Sequence, residues 1–153
     1  MWRERIRNGF LAGAIAAAAT AGALVAFGLR MGTPARPFNA IAQIAFGTGA
    51  EGVWGFDAPV TLTGIVIHVA ATLLWGVVFA LVASGWRGVR LWLGAALFAA
   101  IVYLLDFVLL PGRVRPAFGD MMAPGQRAFL YVTLAVALVV GMRLAFTCRA
   151  AVQ

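Results

Sequence analysis

Two side chains could do chemistry inside apolar surroundings, His68 and Asp106. His68 is the only histidine of the chain and sits in the run TGIVIHVAATLLWG at 63–76. It lies ten residues beyond Ala58, the start of an apolar segment, so at ~1.5 Å per residue it falls ~15 Å deep, near the middle of a bilayer. Hydrocarbon favours the uncharged ring there. A lone histidine cannot supply both axial ligands of a haem, and no cysteine or second histidine stands near it, so no cofactor and no metal are expected. Thr61, Thr72 and Trp75 share roughly its side of a helix, and the expected role is a neutral imidazole fastening one span to another. Asp106 precedes Pro111 with four residues between them, ~6 Å from the end of its segment. Arg113 or Arg115 could fold back onto it and pin the following loop, and Tyr103, one turn earlier, could extend the pair. The two sites differ in depth by ~9 Å at the same rise per residue, so a proton relay between them is the lesser reading.

No other pattern carries a reaction. The chain has no HExxH, no GxSxG and no phosphate-binding loop, and Glu51, Asp57 and Asp120 are scattered through loops. Without an acid, base and nucleophile set, no enzyme activity is expected. Cys148 is the single cysteine, which excludes a disulfide within the chain and points to a small buried residue.

The elements that must hold these residues follow from composition. Of 153 residues, 63% are hydrophobic and 11% charged, with a mean hydropathy of +0.96. Such a chain is built for a membrane. Four stretches reach the ~20 apolar residues that a span requires, at about 10–29, 58–83, 91–110 and 128–147. The first, behind MWRERIR, also has the look of a secretory signal, but its twenty uninterrupted apolar positions favour a retained helix. All twelve basic residues are arginine, against five acids, for a formal charge of +7. They form small groups between apolar runs rather than one stripe, which speaks for topology and against nucleic acid. Arg3, Arg5, Arg7, Arg87, Arg90, Arg143 and Arg149 would share one side and Arg30, Arg36, Arg113, Arg115 and Arg127 the other. The arginine-richer side takes both termini into the cytoplasm. The expected fold is therefore a single all-α domain, a four-helix transmembrane bundle. In the first outer loop, Phe38, Ile41, Ala42, Ala45 and Phe46 recur at helical spacing with Pro37 suited to a first turn, which points to a short amphipathic helix on or dipping into the interface or, equally, to an ordered loop packed over the bundle. Trp54 and Phe56 would join an aromatic belt. The loop PGRVRPAFGDMMAPGQR, rich in proline and glycine, is expected to be irregular.

Small residues at four-residue spacing provide faces on which helices approach closely: Gly9, Gly13, Ala17 and Ala21 in the first span, Gly76 with Ala80, Ala95 with Ala99, and Ala137 with Gly141. A second stripe, Ala18, Gly22 and Ala26, gives the first span more small surface than one neighbour needs. The expectation is that this span also meets a partner, another membrane protein or a second copy of the chain.

The stretches PFNAIAQIAFG, IHVAATLLWGVVFA and YLLDFVLLPGRVRPAFGDMM, together with Tyr131, resemble a group of small uncharacterised bacterial inner-membrane proteins. The shared elements are Asn39-Ala40, His68, and the segment from Asp106 through Pro111 and Arg113 to Pro116; Gln43 stands where that group suggests a histidine or similar polar group. The resemblance implies four spans and a bacterial inner-membrane address, and no reaction. The expected function is that of a non-catalytic accessory or assembly component in the lipid bilayer. The alternative is a small homo-oligomeric transporter or channel using His68 and Asp106.

Overall fold

The computed structural model describes residues 2–47, 49–112, 115–119 and 121–150, the side chains at 51 and 148–150 excepted. Arg113, Asp120 and the side chains of Glu51 and Cys148 therefore lie outside the described residues. The molecule is all-α: α1 (Trp2–Arg30), α2 (Arg36–Phe46), a short 3-10 turn at Ala50–Gly52, α3 (Ala58–Val82), α4 (Gly88–Leu104) and α5 (Pro124–Ala150). α4 runs on as a π-helical turn, Leu105–Leu109. Four of these helices are long and apolar enough to cross a membrane, and they make the chain a multi-pass membrane protein.

Local sequence sets the ends. α1 begins well before the apolar run, because the residues from Trp2 to Asn8 contain no helix breaker. α3 opens on Asp57, whose carboxylate accepts a hydrogen bond from the Val60 N–H at 3.1 Å, with Pro59 in the first turn. Asp57 is thus a helix cap, not a loose loop charge. Pro111 stops α4, and the last turn widens so that the Leu110 N–H reaches the Leu105 carbonyl at 2.9 Å.

α1 is the centre of the bundle, packed against α3 on one side and α5 on the other, with α4 on the far side of α5. A span in lipid buries no apolar surface by leaving water, so close backbone contact decides which helices meet. Gly9 and Gly13 face Gly76 of α3: a Cβ at Gly13 would stand 2.8 Å from the Leu73 Cα, and one at Gly76 2.5 Å from the Gly13 nitrogen. A Cβ at Gly141 would stand 2.5 Å from the Ala12 Cα, which brings α5 against α1. Ala17, Ala80 and Ala137 are buried within the bundle, whereas Ala21 is only partly buried. The GxxxG face is consequently an internal seam, and the second neighbour that α1 requires is α5 of the same chain. Ala18, Gly22 and Ala26 remain exposed.

α2 is the short helix expected in the first outer loop, and it packs into the bundle instead of lying on its surface. Pro37 through Gln43 are all buried, polar members included, so the helix is a cap set into one end of the bundle. Asn39 is 0% exposed. Its amide donates to the carbonyls of Val53 (2.8 Å) and Gly55 (2.9 Å), and its oxygen accepts from the Thr61 hydroxyl at 2.6 Å. One side chain thereby ties the loop before α3, and α3 itself, to α2. Trp54 and Phe56 are exposed, as in an aromatic belt, and the Arg36 guanidinium lies 3.7 Å over the Trp54 ring.

Candidate functional site

His68 faces α1 from α3. Its Nε2 lies 3.1 Å from the Thr20 hydroxyl and 3.4 Å from the Ala17 carbonyl. A carbonyl can only accept, and the Thr20 hydroxyl already donates to the Ala16 carbonyl at 2.7 Å. Nε2 therefore carries the hydrogen and donates, and in the neutral ring Nδ1 is the free acceptor. Phe38 of α2 packs edge-on against the imidazole, ring centroids 6.1 Å apart. Of the side chains expected around His68, Thr72 returns its hydroxyl to the His68 carbonyl (2.5 Å), Thr61 binds Asn39, and Trp75 meets Phe98. Thr20, the actual side-chain partner, is a lone hydroxyl in an alanine-rich span.

Asp106 sits in the π-helical turn, and its observed partner is Tyr131 and not Arg115. The Tyr131 hydroxyl of α5 donates to Oδ2 at 2.5 Å. Arg115 points elsewhere: its guanidinium donates to the carbonyls of Leu110 (2.9 Å) and Val108 (3.3 Å), groups left without helical partners where Pro111 ends α4. Arg113 lies outside the described residues. Tyr103 contributes its ring, edge-on to Tyr131 at 5.2 Å and tilted against Phe107 at 5.0 Å, and the Arg127 guanidinium covers Phe107 at 5.3 Å.

His68 and the Asp106–Tyr131 pair line one cavity of about 270 Å³. Thr20 and Leu24 of α1 form its back, Ile41 and Ile44 of α2 with Pro116 and Phe118 its lid, and Leu130, Tyr131 and Leu134 of α5 its far wall. α3 and α4 touch through Phe98, about halfway along α4, which packs on Trp75 and Phe79. The two helices make few other contacts, and of the residues that line the cavity Leu74 of α3 is 59% exposed. Among the described residues, the sealed polar atoms without partners are Gln43 Oε1 and Arg127 Nε. His68 Nδ1 and the second Asp106 oxygen are not sealed, and they stand available to whatever enters. Among the described residues no cluster of three potential metal ligands occurs. The volume is slightly under the ~300–1,000 Å³ of pockets for drug-sized ligands. It suits a small molecule or one end of a longer, mostly apolar one.

Comparison with protein-family models, with curated proteins and with solved structures finds no match.

Proposed function

We propose that the chain is a non-catalytic, multi-pass protein of the bacterial inner membrane that works as an accessory component. It holds a small, largely apolar molecule drawn from the bilayer in the cavity between α3 and α4, and packs against other membrane proteins through its outer faces. The terminal end of the bundle, with Arg3, Arg5, Arg7, Arg87, Arg90 and Arg143, is the cytoplasmic one. The observation that carries this reading is the cavity itself: two polar stations, His68 and Asp106–Tyr131, face one space walled mostly by apolar side chains of the spans. Its hydrogen-bonded partners support a binding role over a catalytic one, because His68 donates to Thr20 with no carboxylate behind it and Tyr131 donates to Asp106.

The test is native mass spectrometry of the full chain from mild detergent. A bound lipophile is expected on the wild type and not on Ala71→Phe, whose added ring fills the cavity from a partly exposed lining position. An empty wild-type chain would contradict the binding role.

A second reading has an observation in its favour, since His68 and Asp106 line the same space despite their separation in depth. In it, several copies form a transporter or channel. A pure homo-oligomer with flux into vesicles that His68→Leu abolishes would establish that reading instead.

A further inference from the structure

At the end of the bundle away from α2, three arginines lie against aromatic rings. The Arg87 guanidinium is 6.0 Å from the Phe146 centroid, Arg90 5.3 Å from Trp86, and Arg143 5.5 Å from Trp92. Arg87 and Arg143 line a cleft of about 520 Å³ between the α3–α4 turn, the start of α4 and the end of α5, and among the described residues no carboxylate lines it. None of the three has a carboxylate partner among the described residues.

The support beneath them is built. The Trp86 ring fills the space that a side chain at Gly94 would occupy, its Cε3 2.5 Å from that Cβ position. Trp86 in turn carries Arg90, while Phe146 and Trp92 carry the other two. A ring under a guanidinium fixes its plane and leaves the N–H edges free, a geometry suited to the paired oxygens of a phosphate. Trp92 and Leu144, each next in sequence to a residue that lines the cleft, are exposed apolar side chains along which acyl chains could run.

We propose that this cleft binds the phosphate headgroup of an anionic phospholipid, Arg87 and Arg143 holding the phosphate and Arg90 extending the positive rim. A basic pocket between spans at an aromatic interface favours a lipid over a free ion, because the apolar rim gains only from a ligand with chains.

The full chain, delipidated in mild detergent, is titrated with dioleoylphosphatidylglycerol, dioleoylphosphatidylcholine and inorganic phosphate, and binding is read from tryptophan fluorescence and from the rise in melting temperature. The phosphatidylglycerol is expected to bind at least tenfold more tightly than the phosphatidylcholine or phosphate. Arg87→Gln with Arg143→Gln should lose that preference, whereas Arg30→Gln at the opposite end should keep it. Equal affinity for the two lipids would overturn the proposal, as would wild-type selectivity in the double variant. Phosphate binding as tightly as the lipid would overturn the lipid assignment. Selectivity is measured on the unaltered protein, so the test stands even if the double variant folds poorly.

Discussion

Tyr131 and Asp106 depend on each other. Removing the hydroxyl leaves a partly buried carboxyl without its donor, and a polar group stripped of its partner costs about 1–3 kcal/mol. Tyr131→Phe should destabilise the protein by that amount in detergent unfolding, and the same change in an Asp106→Leu background should cost much less. Additive effects in that double-mutant cycle would contradict the pair. The Thr20–His68 contact is worth less, about 0.6 kcal/mol on average for hydrogen bonds between spans. Asn39 matters more, because three hydrogen bonds converge on one fully buried amide. Asn39→Ala should cost about 2–3 kcal/mol at roughly 1 kcal/mol per bond. Limited proteolysis should then cut at 50–57 first, and an unchanged cleavage pattern would show that the loop is held by other means.

At the scale of elements, the spans were legible because ~20 apolar residues announce a crossing whatever surrounds it. Their order of packing was not, since in lipid the buried and exposed faces of a helix are equally apolar. The glycines at 9, 13, 76 and 141 mark close contacts without naming the partner. For the same reason His68 was readable as a polar residue needing a partner, while Thr20 on another span was not. That Arg115 does not reach Asp106 has a local cause: the π-helical turn before Pro111 leaves carbonyls that Arg115 binds, and the carboxylate meets Tyr131 across the helix pair. An apolar stripe such as that of α2 fits a surface helix or a buried cap equally well, and the buried Asn39 and Gln43 decide for the cap. A contrast between two glycines tests the packing. Gly13→Leu drives a side chain into the α3 backbone and should destabilise the fold by at least the about 1–3 kcal/mol typical of overpacking. Gly22 has nothing within 4 Å, so Gly22→Leu should leave the melting temperature unchanged. If Ala18, Gly22 and Ala26 serve a partner, the same variant should lose that partner in co-purification from a still-folded protein.

The whole molecule has two dissimilar ends. One is closed by α2 and the Asn39-tied loop, beside the cavity that His68 and Asp106 line. The other carries the chain start, the α3–α4 turn and arginines set on aromatic rings. Everything assigned to the cavity and the cleft presumes that these ends face opposite sides of one bilayer. The direct measurement is labelling with a membrane-impermeant thiol reagent in a Cys148→Ala background, comparing Trp54→Cys with Gly85→Cys in intact cells and in inverted vesicles. Position 54 should be labelled in intact cells and position 85 only in inverted vesicles. Labelling of both from the same side would contradict the four-span arrangement and the roles that rest on it.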